Sequence, residues 1–119
     1  FAAPIGGMFA APHGAVCAAL LPHVMTMNLQ ALQQKGLSHG RYDEVARLLT
    51  GNSNAQAHDG VRWVRELVQE LHIPGLGAYG IRAEHGGELI AKAAMASSMK
   101  ANPIALAPGQ LTEILHGAL

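Results

Sequence analysis

The sequence predicts an all-α fold, a helical bundle forming a single domain over residues 1–119, on three observations. No stretch alternates apolar and polar residues with the period of two that a half-buried strand requires. Several stretches instead place apolar residues three and four apart, and Gly or Pro separates one from the next. Half of the 119 residues are apolar but only 4% are aromatic, and 21 are Ala and 14 Gly, which suits closely approaching helices better than a large aromatic core.

Residues 1–12 contain Pro4, Gly6, Gly7 and Pro12 and keep neither period, so they read as a loop, or a loop joined to a helix end. Pro12 suits a first helical turn, and His13 to Leu21 is apolar nearly all round, as in a helix buried among others. Pro22 removes one backbone hydrogen bond and is expected to kink or restart that helix, which Val24, Met25 and Met27 carry on to about Gln34. Gly36 and Gly40 bracket a turn, and Tyr42 to Leu49 is a short helix with Val45, Leu48 and Leu49 apolar and Gly51 as its stop. The clearest amphipathic helix follows. Val61, Val64, Leu67, Val68 and Leu71 share one face, Arg62, Arg65, Glu66, Gln69 and Glu70 lie mainly opposite, and Pro74 ends it. Beyond a turn segment from His72 to Gly80, residues 83 to about 100 read as an Ala-rich helix whose buried stripe is Leu89, Ile90, Ala93, Ala94 and Met95. Asn102-Pro103 breaks that helix, and a last one from about Thr112 carries the apolar set Leu111, Ile114 and Leu115.

Charge excludes several classes. Eight Lys+Arg balance eight Asp+Glu, so no basic footprint points to nucleic acid and no acidic tract to disorder. The distribution is uneven: residues 1–34 contain no Asp, Glu, Lys or Arg and are expected to be covered on more than one side. They do not read as a membrane span. Pro22 and His23 interrupt them, and the longest clean apolar run, Ala15 to Leu21, is far short of the ~20 residues a bilayer demands. The single cysteine, Cys17, permits no internal disulfide and fits a reducing, cytoplasmic compartment. Phe1, in place of Met and without a basic n-region, reads as an internal residue of a longer protein.

The seven histidines fall at irregular spacings, and no two sit four apart on one helix beside a Glu, as a helical metal motif requires. No nucleophile elbow, phosphate loop or paired thiol is present either. Taken singly, each His reads as a polar surface or capping residue. His13 stands apart because it opens the charge-free helix between Pro12 and Gly14, although one imidazole does not hold a metal ion.

The string Pro4-Ile5-Gly6-Gly7-Met8-Phe9-Ala10-Ala11-Pro12-His13-Gly14, followed by Leu20-Leu21-Pro22-His23-Val24-Met25 and Asn28, resembles the iron-containing alcohol dehydrogenase family. Later pieces agree in order and spacing: Arg41-Tyr42, Val45-Ala46, Leu71-His72-Ile73-Pro74, Tyr79-Gly80-Ile81, Asn102-Pro103 and Leu111 to Leu115. The resemblance implies the C-terminal portion of a dehydroquinate-synthase-like helical domain, with the nucleotide-binding α/β domain upstream and absent from this chain. It implies a divalent metal, Fe2+ or Zn2+, held in a cleft between the domains by one Asp and three His, of which His13 is the last. That ion would act as a Lewis acid on an alcohol or carbonyl oxygen while hydride passes to or from NAD(P). The other three ligands would precede Phe1, so this chain alone is expected to bind neither metal nor cofactor. Gly6 and Gly7 match the segment near the cofactor cleft, with a tight turn of positive φ as their other reading. His23 is read as structural.

The sequence departs from the family at Ala3, where many members place a His near the nicotinamide. Another residue or water then serves the proton relay, or the activity is altered, or the small side chain widens the pocket. Two functions follow as expectations. The first is the C-terminal helical part of a metal- and NAD(P)-dependent alcohol dehydrogenase or reductase acting on small alcohols or carbonyls, partnered by the missing domain or a homologous subunit. The alternative is a stand-alone helical interaction or structural module, for which segment 1–34 would be the partner surface.

Overall fold

In the computed structural model, which describes residues 1–119, the chain is helical throughout and contains no strand. Six α-helices appear in order: α1 (Ala2–Met8), α2 (His13–Gln34), α3 (Gly40–Thr50), α4 (Ala57–Glu70), α5 (Gly86–Met95) and α6 (Pro108–Ala118). Short 3-10 turns at Leu76–Tyr79, Ala83–His85 and Ser97–Ala101 complete the path.

Helix α2 is the axis of the domain, packing on α1, α4 and α6, while α3 lies on α4 and α5 on α1 and α6. Ten of its residues are buried. One side enters the main core with Val16, Ala19, Leu20 and Met27, where they meet Ile5, Leu76, Ile81, Leu89, Leu111, Ile114 and Leu115. Met25 and Leu29 form a second core with Ala57, Val61 and Val64 of α4, and Ala31 and Leu32 cover Ile104. The expectation that the charge-free segment is covered on several sides therefore holds.

Pro22 does not restart the helix. The segment runs unbroken for 22 residues with Pro22 buried inside it, and Thr26 Oγ1 donates to the Pro22 carbonyl at 2.8 Å. Neighbouring helices pack around the site of the missing backbone bond, so the cost of proline is met by tertiary contacts. Continuity also removes the reason given above for excluding a span: by length and a mean hydropathy of 1.4, α2 qualifies to cross a membrane. Here its apolar sides are spent on protein.

Three further boundaries differ from the sequence expectation. Residues 2–8 form α1 rather than a loop, because Ile5 is fully buried against α2 and α5 and that burial outweighs two glycines. Gly6 and Gly7 accordingly lie within a helix, without positive φ. The segment 83–100 is not one helix: Ala96 takes extended backbone, with φ −63° and ψ 135°, and separates α5 from a 3-10 turn. The last helix begins at Pro108, in the first-turn position proline favours, and Ala107 N–H donates to Gln110 Oε1 at 2.8 Å.

The apolar stripes are also narrower than expected. Leu48 is 83%, Leu71 62% and Met95 87% exposed, Val45, Leu67 and Ala94 are exposed too, and the residue that α3 buries is Ala46. On α3 the reason is its close approach to α4. A Cβ on Gly60 would sit 2.9 Å from Ala46 Cβ and 3.0 Å from its Cα, so small residues define the contact and the large ones flank it. Asp43 reinforces the joint by accepting from Ala57 N–H at 2.8 Å, and Gly51 closes α3 with φ +70° as expected.

His23 is half-buried between α2 and α6, where a Cβ on Gly117 would come within 2.5 Å of its Nδ1. This packing against α6 supports the structural reading of His23. Burial first, and the Arg65 guanidinium second, hold its pKa below the usual histidine value.

Replacing Gly60 by Ala is expected to cost about 1–3 kcal/mol, measured as a lower urea midpoint with unchanged slope, because the α3 backbone must retreat. For His23 the folded state binds fewer protons than the unfolded state, so stability is lost as pH falls through about 6.5. The melting temperature should fall between about pH 7 and about pH 5, and His23→Gln should make that fall shallower; equal slopes would remove His23 as the cause.

Candidate functional site

His13 is the first residue of α2, set by Pro12 in extended backbone, and its side chain is exposed. One turn on, Cys17 Sγ lies 3.5 Å from His13 Nε2, also at the surface. Cys17 is therefore not isolated, and its spacing of four from His13 on one helix is the sequence signal that joins them.

Cys17 stands at one end of an open groove of about 560 Å³. The floor is one face of α2, Cys17, Leu20, Leu21, Val24, Met25 and Asn28, which recur in steps of three and one as residues on a single helical face must. Ser98, Met99, Ala101 and Asn102 form the facing wall, Phe1 and Ala2 contribute from the first turn of the chain, and Tyr42 comes from α3. The break after α5 serves this site, since it turns residues 97–103 back across α2 where a continued helix would have run past it.

A buried polar cluster ends the groove. Asn28 is 1% exposed and donates from Nδ2 to Tyr42 Oη at 3.1 Å and to Asn102 Oδ1 at 2.8 Å. Asn102 Nδ2 donates back to Asn28 Oδ1 at 2.7 Å and to the Ile104 carbonyl at 2.7 Å. All four amide hydrogens and both amide oxygens are used, as the interior demands of polar groups. Asn28, Tyr42 and Asn102 are 14 and 74 residues apart in sequence, and no local pattern joins them.

A comparison with family models now decides the assignment, because the model described as "Fe-containing alcohol dehydrogenase family, C-terminal" matches residues 1–119. The chain belongs to this family. Its all-α architecture accords with the C-terminal helical domain of that family. No curated protein and no solved structure matches it.

Within this family member, the residues do not by themselves fit a divalent ion. No three His, Cys, Asp or Glu side chains gather anywhere, whereas a catalytic site takes three protein donors and a structural one four. His13 offers one nitrogen, with one sulfur beside it. Gly6 and Gly7 lie on the exposed side of α1, where an added Cβ would meet nothing within 4 Å. The histidines His39, His58, His72, His85 and His116 are not brought to the groove: His39 and His58 lie 3.4 Å from Asp43 and Asp59, and His85 Nδ1 accepts from Arg82 N–H. His85 also stacks edgewise on Phe9 at 5.0 Å, which ties α1 to the start of α5.

Asn28→Ala is expected to destabilise the domain by about 1–3 kcal/mol, since the Asn102 amide is left without its partner. The double variant Asn28→Ala, Asn102→Ala should cost less than the sum of the singles in chemical denaturation; strict additivity would show that the two amides do not act as a pair.

Proposed function

We propose that this chain is the helical wall of a metal- and NAD(P)-dependent alcohol dehydrogenase or reductase acting on alcohols or carbonyl compounds. The observation that carries the reading is the juxtaposition of His13, in the Pro12-His13-Gly14 segment, with an apolar groove that opens beside Cys17. Family membership across all 119 residues supports it. In this reading His13 supplies one ligand to a divalent ion, Fe2+ or Zn2+, and the remaining donors come from outside these residues. Gly6 and Gly7 face the cofactor side of the cleft, where bare backbone admits a close approach. The partner is the nucleotide-binding α/β domain, in the same polypeptide or in a companion subunit. One exposed thiol suits a reducing, cytoplasmic setting.

This chain's own part in the chemistry is to present the imidazole, wall the substrate with apolar side chains and exclude water from it. Asn28 and Asn102 fix the far wall without offering a competing polar group, because their amide hydrogens are already committed. In a polypeptide that carries both domains, His13→Ala is expected to lower bound metal and turnover together. The loss should exceed the ~10- to 100-fold that removal of a mere outer-shell partner costs. Metal content comes from elemental analysis and turnover from absorbance of the reduced nicotinamide, with His23→Gln as a control that keeps its metal. Unchanged metal stoichiometry in His13→Ala would refute the ligand role and leave the interaction-module reading in its place.

A further inference from the structure

A second groove, of about 350 Å³, runs between α2 and α4. Thr26, Gln30 and Gln33 line one wall and His58, Arg62 and Arg65 the other, at the same steps of four and three on both helices, with the buried Leu29 and Val61 as floor. At 3.6 residues per turn, the α2 wall stands about half a turn round that helix from Cys17, Val24 and Asn28. Neither His13 nor the first residues of the chain border it.

Its charge has one sign. Residues 1–34 bring no charged side chain to the α2 wall, and no carboxylate lines either wall. Arg62 is tied to Asp59 at 3.0 Å, whereas Arg65 is in no ion pair. Its Nη2 donates to Thr26 Oγ1 at 3.2 Å, and that hydroxyl donates to the Pro22 carbonyl at 2.8 Å. The relay fixes the guanidinium against α2 and leaves its other N–H groups without a protein partner. On the opposite wall the exposed Gln30 and Gln33 carboxamides make no hydrogen bond within the protein either. Glu113 borders only the adjoining recess that Arg65 shares with His23, beyond ion-pair reach of Arg65. A concave surface with one uncompensated cation concentrates anions. One guanidinium fork saturates a planar carboxylate, while a tetrahedral oxyanion presents oxygens to donors on both walls at once.

We propose that this groove binds a phosphate group, free or as a monoester, with Arg65 as its principal ligand, the Gln30 and Gln33 amides closing on it from α2, and Arg62 at its edge. The site is separate from the one assigned to the dehydrogenase reading and stands or falls without it.

The test is calorimetric titration of the complete polypeptide with glycerol phosphate, inorganic phosphate and acetate at fixed pH and ionic strength, in excess NAD to fill any dinucleotide site. One phosphate-bearing ligand should bind per chain, with acetate at least about tenfold weaker, the difference made by charge-assisted hydrogen bonds that acetate does not form. A tighter ester identifies a phosphate monoester as the occupant, and equal affinity identifies free phosphate. Arg65→Gln removes the cation and Gln30→Glu sets a carboxylate on the facing wall; both positions are exposed, so a folding failure of one leaves the other informative. Each should weaken phosphate binding by at least about tenfold. Asp59→Asn frees Arg62 and should tighten binding by about two- to fivefold, a gain that loss of structure does not produce. Absence of phosphate binding, acetate binding as tight as phosphate, or affinity unchanged in both Arg65→Gln and Gln30→Glu overturns the site; no tightening in Asp59→Asn removes Arg62 from it.

Discussion

A helix of 22 residues without one Asp, Glu, Lys or Arg has no side fit for wide exposure, and the rest of the domain is arranged to meet that constraint. Helices α1, α4 and α6 each take a side of α2, and the segment after α5 reaches back toward what they leave open. Burying its apolar side chains at about 25 cal/mol per Å² is the largest favourable contribution this fold has. It is enough to carry Pro22 through the interior, and enough in α1 to hold Gly6 and Gly7 helical around Ile5.

The face of α2 that its neighbours leave partly uncovered carries the candidate site. It begins beside His13 and ends at Asn28, so one helix positions both the candidate ligand and the far end of the groove. Registry between helices then matters as much as burial. The reciprocal Asn28 and Asn102 amides set it: a net gain of about 1 kcal/mol per hydrogen bond is modest, but a shift that breaks the pair strands two amides away from water. Tyr42 extends the same lock to α3, and through the Gly60 contact with Ala46 that helix is held against α4.

Much of this was legible. The stop at Gly51, the core residues Val61, Val64, Leu89, Leu111, Ile114 and Leu115, and the covered character of residues 1–34 all follow from local pattern and occur in the structure, whereas the Ala-rich helix ends at Met95, short of Asn102-Pro103. Leu48 has helical spacing like any core residue, but Ala46 and Gly60 bring α3 and α4 so close that contact area falls to the small residues. Leu71 and Met95 stand at the C-terminal ends of α4 and α5 and are exposed there. In the candidate site, His13 was visible because its segment is distinctive, whereas the groove was not.

Residue chemistry and period, properties of neighbours along the chain, determined by themselves that this protein is helical, that its first third is covered, and that His13 opens the central helix. Tertiary structure alone decided that Pro22 is tolerated, that residues 96–103 turn back, and that Cys17, Asn28, Tyr42 and Asn102 share one groove. The physical reason is distance in sequence. Asn28 meets Asn102 across 74 residues, and such a contact is chosen by how α2 is packed from every side, which no local spacing records.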